Sequence, residues 1–395
     1  MKTGGAADVA VIVSEMQCTG AGVFTENRVR AAPVLYDQAL LRERPGRLRG
    51  IVMNAQVANA CTGPQGEVDA AQEACLAEQF LKLPPRCMLI MSTGLIGVQL
   101  PMDILETGLQ KAAAKLKPDG GVGAARAIMT TDKRAKHVAV EIETRSGTIT
   151  VGGIAKGAGM VHPNMATLLG VLTTDAEVDA AHLDALLRKI VDRTFNAITI
   201  DGDCSPNDTV LMLANGASEV AITRDPEGWK LFEDAVETVA RELALMIVRD
   251  GEGATRFVEL NVVGAGTEAG ARAIGRSIAR SALVKTALAG GDANWGLILA
   301  AAGASGFPIV PERLTLSARV WAGDSTSNGD DWLVLAREGA TANADDEAAQ
   351  AIFSSPEINV KIELGMGGAE GTVWTCDLSE EYVQINSTSR HPSPQ

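Results

Sequence analysis

A glycine-rich stretch near the middle of the chain organises the sequence. It reads Gly153-Ile-Ala-Lys-Gly-Ala-Gly-Met-Val-His-Pro-Asn-Met-Ala-Thr-Leu-Leu169. Its glycines allow the backbone to approach other chain segments closely. Pro163 fixes its own φ and moves the residues before it away from helix. The pattern therefore predicts a constrained loop that delivers the hydroxyl of Thr167 to the start of a buried strand or helix.

The Ala166–Thr167 bond has two interpretations. In the first, the segment is an ordinary connector that leads into the core. In the second, the Thr167 hydroxyl attacks the Ala166 carbonyl, and hydrolysis of the resulting ester releases a new N-terminus. The freed α-amine has an unperturbed pKa of about 7.7–8.0, which suits a base for the adjacent hydroxyl. Local chemistry alone favours the ordinary connector.

A second candidate site lies where an apolar segment, residues 87–92, runs into Thr93 and Gly94. A strand that ends in this way can present a hydroxyl and a backbone N–H together. Removal of one donor to a developing oxyanion costs about 2.7–4 kcal/mol in acyl transfer. The alternative is an ordinary exit from a strand into a turn, which these residues alone favour.

Three further polar positions have ordinary alternatives as well. Glu252 lies between two glycines where a long amphipathic helix ends, and a solvated turn explains it equally well. Thr130 begins a Thr pair that could cap a helix or start a strand. The Asp/Asn-rich turn at 201–208 lacks the spacing of a calcium loop, so we interpret it as structural and near the site.

Periodicity and turn residues predict an alternation of strands and helices. Strands are expected at 8–14, 21–25, 49–54, 87–92, 137–143, 148–151, 195–203, 256–263, 357–364 and 371–378, with more between 308 and 335. Helices are expected at 65–82, 102–117, 175–190 (with Asp179 as its cap), 229–247, 268–288, 297–302 and 342–353. This order is typical of an α/β protein.

Composition limits the classes of function. The 395 residues are 46% hydrophobic and carry a net charge of −14, and we see no basic cluster with aromatic residues, so nucleic acid is not an expected partner. Six scattered cysteines and four histidines predict neither a disulfide framework nor a metal site. We find neither a secretory signal nor an apolar run long enough for a membrane span, and therefore expect a cytoplasmic protein without membrane contact.

The motifs taken together resemble those of one enzyme family. The stretch from Lys156 to Leu169, Asn-Ala-Cys-Thr-Gly63, Ala-Ile-Met-Thr-Thr-Asp132 and Asp-Gly-Glu-Gly-Ala-Thr255 are similar to motifs of the ornithine acetyltransferase family. That family is also called ArgJ or glutamate N-acetyltransferase. The resemblance extends from about residue 21 to Asn386.

The resemblance implies a fold and an assembly. The fold would be an α/β four-layer α-β-β-α sandwich, similar to that of DmpA, with a C-terminal α/β part at about 265–365. Cleavage between Ala166 and Thr167 would give an alpha chain, 1–166, and a beta chain, 167–395. Two copies of each would form a heterotetramer.

The resemblance also implies a reaction and its residues. Thr167 would take acetyl from N-acetylornithine and pass it to glutamate, while Thr93 and Gly94 form the oxyanion hole. Substrate contacts would come from Thr130, Lys156, Thr167, Glu252 and Asn386. No cofactor is implied, although some members of the family also accept acetyl-CoA as the acetyl donor.

Some positions depart from the family pattern. Gln56 and Val57 replace an expected Gly-Asn, and the usual C-terminal hydroxyl contact falls on His391, with Thr388 and Ser389 as substitutes. These departures leave room for the first of three alternatives. The protein could be a Thr-nucleophile amidohydrolase or aminopeptidase, an ornithine acetyltransferase of a specialised pathway, or a relative that never matures.

Overall fold

The computed structural model describes residues 7–162, 168–321, 323 and 331–387. Ala166, Thr167, Thr388, Ser389 and His391, which the sequence singled out, lie outside the described residues. The chain divides into two compact units. The first comprises Met1–Asn196 and Cys204–Ile247, and the second comprises Ala197–Asp203 and Val248–Gln395.

The described residues form strands and helices in alternation, as expected for an α/β chain. The strands are β1 Val9–Phe24, β2 Leu48–Asn54, β3 Met88–Ser92, β4 Lys136–Thr144, β5 Gly147–Lys156, β6 Leu169–Thr174, β7 Ile198–Thr199, β8 Thr209–Ala214, β9 Phe257–Ala265, β10 Thr315–Val320, β11 Leu333–Arg337, β12 Ala340–Thr341, β13 Glu357–Glu363 and β14 Ala369–Cys376. The helices are α1 Ala32–Glu43, α2 Gly63–Leu81, α3 Met102–Ala114, α4 Gly121–Ala127, α5 Ala180–Arg193, α6 Pro226–Arg249, α7 Glu268–Ala279, α8 Ala282–Gly290, α9 Trp295–Gly303, α10 Asp346–Phe353 and α11 Glu380–Ser387.

Each unit contains one mixed sheet. The sheet of the first unit has the strand order β3-β2-β1-β8-β6-β5-β4, and that of the second has β12-β11-β10-β13-β9-β14-β7. In the first sheet, β2 is parallel to β3 and β6 is parallel to β8, while the other neighbours are antiparallel. All of β3 and nearly all of β2 are buried, as continuous apolar strands covered on both faces should be. The predicted α/β class is confirmed.

The central loop is held at both ends by paired strands. The strands predicted at 137–143 and 148–151 are confirmed as β4 and β5, which pair as an antiparallel hairpin, and the apolar run after the loop is the strand β6. Because Lys156 and Leu169 are partners across β5 and β6, the loop between them leaves and returns at neighbouring points of one sheet. Residue 167 therefore precedes a strand whose register is fixed against the strand that ends in Lys156.

The N-terminal strand differs from the prediction. Two separate strands were expected at 8–14 and 21–25, but β1 is continuous from Val9 to Phe24. An irregularity between Val13 and Cys18 lets its first half pair with β2 and its second half with β8. The residues at that irregularity are exposed and mostly polar. A sequence of this kind is typical of a loop, so the strand was predicted as two.

The segments 195–203 and 268–288 were also predicted incorrectly. The first was expected to be one strand, but it forms a 3-10 turn followed by the short strand β7. The second was expected to be one helix, but it forms α7 and α8, because the Ser281 hydroxyl accepts a hydrogen bond from Val284 N and starts a new helix. The apolar spacing continues across this break, so periodicity alone does not reveal it.

Several helices match the prediction, and others were missed. Helices α2 and α6 lie where they were expected. Asp179 caps α5 by accepting from Ala181 N and His182 N, although the helix begins at 180 and not at 175. Helix α1 is absent from the prediction, because one of its buried residues is Asp37, which interrupts the apolar face.

Candidate functional site

The end of β5 places a buried ammonium group beside the end of β3. Lys156 is 2% exposed, and its Nζ donates a hydrogen bond to Thr93 Oγ1 at 3.4 Å. Thr93 is itself 3% exposed and follows the last residue of β3. Two residues that the sequence predicted for different roles are therefore in direct contact in the first unit.

Thr93 and Gly94 can contribute different kinds of oxyanion donor. Thr93 N donates to Asn54 O at 3.0 Å, so its hydroxyl and not its N–H can face a reacting group. Within residues 7–162, 168–321, 323 and 331–387, the Gly94 N–H has no hydrogen-bond partner. The pair therefore offers one hydroxyl and one backbone N–H, which is the combination that stabilises an oxyanion.

Gly94 has a conformation that requires glycine. Its φ is +133°, and a Cβ atom there would lie 2.1 Å from the carbonyl carbon of Gln56. Gln56 also has a positive φ, +88°, and its carbonyl accepts from Leu95 N at 2.9 Å. Because Gln56 is not a glycine, this turn holds a side chain in a strained conformation next to the candidate oxyanion donors.

Asp132 accepts hydrogen bonds from three groups at the candidate site. Its Oδ1 accepts from Lys136 Nζ at 2.7 Å and from Gly157 N at 2.8 Å, and its Oδ2 accepts from Thr130 N at 3.0 Å. Burial would raise the pKa of this carboxyl, but Lys156 and Lys136 together hold the pKa well below its usual range. Asp132 therefore links the predicted contacts Thr130 and Lys156 through one buried carboxylate.

Asp208 holds the other end of the loop. It is fully buried, and its Oδ1 accepts from Leu168 N at 3.2 Å. Burial, together with the nearby Cys204 thiol, raises the pKa of Asp208 well above its ordinary value, while Lys156 opposes this shift. The sequence interpretation placed the 201–208 turn near the site. It did not identify Asp208 as the acceptor for the residue that follows Thr167.

Asn207 is a site residue that sequence reasoning missed. Its Nδ2 donates to Ala58 O at 2.6 Å and to Ser92 O at 2.9 Å. It therefore joins the segment that follows β2 to the last residue of β3. The only signal in the sequence was an Asn in an Asp/Asn-rich turn before the apolar strand β8.

The second unit brings together two other predicted contacts. Asn386 Nδ2, in α11, donates to Glu252 Oε2 at 2.7 Å. Helix α11 is tied to the same turn because Ser379 Oγ donates to Gly253 O at 2.6 Å. Glu252 is 8% exposed, so it is not the solvated turn residue of the alternative interpretation.

A phenol lies near Glu252 in the same unit. Tyr382 Oη donates to Asp201 Oδ2 at 3.2 Å. Burial, and then the carboxylates of Asp201, Glu252 and Asp203, raise the pKa of Tyr382. The surroundings of Glu252 and Asn386 therefore carry negative charge and suit a cationic group.

The described part of the chain has neither a metal-ligand cluster nor a helix that could span a membrane. Among those residues, no set of three or more His, Cys, Asp or Glu is placed to bind a metal ion. None of the helices found there combines the length and the apolar character that a membrane span requires.

Comparison with known proteins gives consistent results. The sequence pattern of the ArgJ family matches residues 1–391. The arginine biosynthesis bifunctional protein ArgJ of Symbiobacterium thermophilum is 46% identical over 387 residues, which are 98% of this chain and 93% of that protein. The glutamate N-acetyltransferase of Methanocaldococcus jannaschii is 44% identical over 382 residues, or 96% and 93% of the two chains.

A solved structure is similar over part of the chain. The crystal structure of ArgJ from Bacillus halodurans is 35% identical, with a TM-score of 0.49, over 54% of this chain and 96% of that one. The family match extends over nearly all of the sequence, and the relatives match it at more than 40% identity. The chain therefore belongs to the ArgJ family.

Proposed function

We propose that this protein is a self-cleaving Thr-nucleophile acetyltransferase, which moves acetyl from N-acetylornithine to glutamate in arginine biosynthesis. The observation that carries the proposal is the family match over residues 1–391. The geometry of the first unit supports it, because a buried lysine and a hydroxyl lie together at the end of β3. Membership of the family favours this reaction over the amidohydrolase alternative.

Maturation is the first step of the proposal. The Thr167 oxygen bonds to the Ala166 carbonyl carbon, the Ala166–Thr167 C–N bond breaks, and the nitrogen takes the hydroxyl proton as it becomes an amine. Water then hydrolyses the ester, which leaves a carboxylate on Ala166 and restores the hydroxyl. Both flanks of the loop are fixed, by the β5–β6 pairing and by the Asp208–Leu168 bond, and such fixing favours an attack geometry.

Acetyl transfer then proceeds in two half-reactions. The Thr167 hydroxyl attacks the acetyl carbonyl, its α-amine takes the proton, and ornithine leaves as that proton passes to the departing nitrogen. The amine of glutamate next attacks the acetyl ester. Its proton returns through the α-amine to the Thr167 oxygen, and N-acetylglutamate is released. Both half-reactions use one base whose unperturbed pKa lies near neutrality.

Each tetrahedral intermediate needs stabilisation of its oxyanion. The Thr93 hydroxyl and the Gly94 N–H supply the donors, each of which contributes about 2.7–4 kcal/mol. Lys156 contacts the Thr93 hydroxyl. We therefore assign its charge to support of the oxyanion and not to binding of the substrate carboxylate. Glu252 and Asn386 bind an ammonium group of the amino-acid substrate, in keeping with their electronegative surroundings.

The assembly and the context of the reaction complete the proposal. Two copies of each cleaved chain form a heterotetramer in the cytoplasm. The reaction uses no cofactor, and acetyl-CoA is a candidate second acetyl donor, as in some members of the family. Thr130 contributes a substrate contact from a segment that Asp132 holds in place.

Product analysis tests the proposal. The purified enzyme is incubated with N-acetylornithine, with and without glutamate, beside a Thr167→Ala control. We expect N-acetylglutamate and ornithine in equal amounts when glutamate is present, and only a single turnover of ornithine when it is absent. Continuous release of acetate without glutamate would instead establish a hydrolase.

A further inference from the structure

Three buried oxygen atoms next to the candidate oxyanion turn have no hydrogen-bond partner among the described residues. They are Asn54 Oδ1, Ser92 Oγ and Asn207 Oδ1, on residues that are 3%, 1% and 4% exposed. A buried polar atom left in this state costs about 1–3 kcal/mol, so three together call for an explanation.

The three side chains belong to one cluster. Asn54 and Ser92 are register partners at the ends of the parallel strands β2 and β3, so their side chains stand next to each other on one face. Asn207 reaches the same place, because its Nδ2 donates to Ser92 O at 2.9 Å. The cluster adjoins the turn directly, since Thr93 N donates to Asn54 O.

The orientation of both amides is set by their other contacts. Asn54 Nδ2 donates to Val57 O at 3.0 Å, and Asn207 Nδ2 donates to two carbonyl oxygens. A flipped amide would place an oxygen against these carbonyls, so Oδ1 is the free atom in each case. The cluster therefore presents two acceptors and one hydroxyl, which can donate as well as accept.

We propose that this cluster binds one buried water molecule. The water donates to Asn54 Oδ1 and Asn207 Oδ1 and accepts from the Ser92 hydroxyl, so all three atoms are satisfied. Buried waters typically make about three such bonds to groups that otherwise lack partners. Because the water bridges the ends of β2 and β3 and the turn before β8, it holds the Thr93–Gly94 turn rigidly.

Asn207 and Ser92 are thus positioning residues for the oxyanion donors, and this role rests on the proposed function. The water itself does not rest on that function. The first test is a high-resolution crystal structure of the full chain, grown in NaCl and also in RbCl. We expect one peak within about 3.2 Å of all three oxygens and no anomalous signal in RbCl. An anomalous rubidium peak would overturn the proposal in favour of a monovalent cation, and an empty cluster would overturn it outright.

The second test separates positioning from stability. Ser92→Ala removes only the hydroxyl, and we expect kcat to fall about tenfold while KM changes less than about twofold. The matched control is Ser317→Ala, which removes a buried hydroxyl from β10, 3% exposed, in the second unit. If Ser92→Ala lowers kcat no more than the control, the positioning role is excluded. If the unsubstituted enzyme lacks acetyl transfer but shows the water, the proposed function fails and the water site stands.

Discussion

Residues at the candidate site adopt backbone conformations that few side chains tolerate. Gly94 combines a φ of +133° with the Gln56 carbonyl group pressed against the position of a Cβ atom. The turn can therefore place its N–H only if residue 94 has no side chain. This links a single glycine to the chemistry proposed for Thr93 and Gly94.

Substitution of Gly94 tests this link. We expect Gly94→Ala to lower kcat at least about 100-fold, because the turn must move and its donor with it. Gly97→Ala is the control, since Gly97 also has a positive φ, +80°, but nothing lies within 4 Å of its Cβ position. Steady-state kinetics on both variants provides the measurement, and equal losses of kcat in the two would contradict the assigned role of the turn.

Asp132 gives a prediction about stability. Asp132→Asn removes one negative charge from a buried ion pair with Lys136, which is 1% exposed. We expect the free energy of unfolding in urea at pH 7 to fall by about 3–5 kcal/mol. Asp119→Asn, which breaks an exposed pair with Lys117, should cost less than about 1 kcal/mol.

The same carboxylate predicts a pH dependence. The folded state lowers the pKa of Asp132 below its ordinary value of 3.8, so its contribution is present above that pH and is lost as pH falls through the folded pKa. The stability difference between the unsubstituted protein and Asp132→Asn should thus be constant above pH 5 and shrink in acid. A difference that grows in acid would contradict this assignment.

Sequence reasoning predicted residues of the candidate site and missed several that hold them in place. Thr93 and Lys156 were predicted separately, and the structure places them in contact. Asp208 accepts a hydrogen bond from Leu168 N, 40 positions away in the sequence. Asn207 donates one to Ser92 O, 115 positions away. Such contacts depend on the order of strands in the sheet, which no local pattern encodes.

At the scale of elements, α1 and α2 bury two carboxyl groups in the first unit. Asp37 and Glu73 are both fully buried. Ile90 N donates to one Asp37 oxygen at 2.9 Å, while the other Asp37 oxygen and both Glu73 oxygens have no partner in the described residues. Burial raises the pKa of Glu73 to about 8, and burial with the nearby Glu73 raises that of Asp37.

These helices should therefore loosen as pH rises from about 5 to about 8. Because the folded pKa of Glu73, about 8, lies above its ordinary value of 4.5, its protonated form contributes stability that is fully present below pH 4.5 and is lost as pH rises to about 8. We expect unsubstituted protein to lose about 1–1.5 kcal/mol of stability for each pH unit between these two values and no more from Glu73 above pH 8, and Glu73→Gln to lose less. Urea unfolding at pH 5 and pH 8 measures the difference, with the exposed Glu67→Gln on α2 as control. If the free energy of unfolding changes with pH by the same amount in Glu73→Gln and in unsubstituted protein, the raised pKa of Glu73 is refuted.

The elements themselves were predicted well where apolar periodicity was unbroken. Helix α6 and the β4–β5 hairpin follow from spacing alone. Helix α1 was missed because Asp37 points into the core, and β1 was divided because its irregularity exposes polar residues. In both cases tertiary packing overrides the local pattern.

At the level of the whole molecule, we propose that a single precursor cuts itself and thereby creates its own base. The two ends of the loop are fixed by elements far apart in sequence, through the β5–β6 pairing and the bond from Leu168 to Asp208. The sequence predicted the cleavage position from its motif. It could not predict how the turn before β8 supports the residue that follows Thr167.

Intact-mass spectrometry of the purified protein, beside Thr167→Ala, tests whether the precursor cuts itself. We predict two fragments, residues 1–166 and 167–395, the second beginning Thr-Leu-Leu, and an uncut Thr167→Ala chain. A single uncut chain in the unsubstituted protein would contradict the account, because Thr167 would then lack the free amine on which both half-reactions depend.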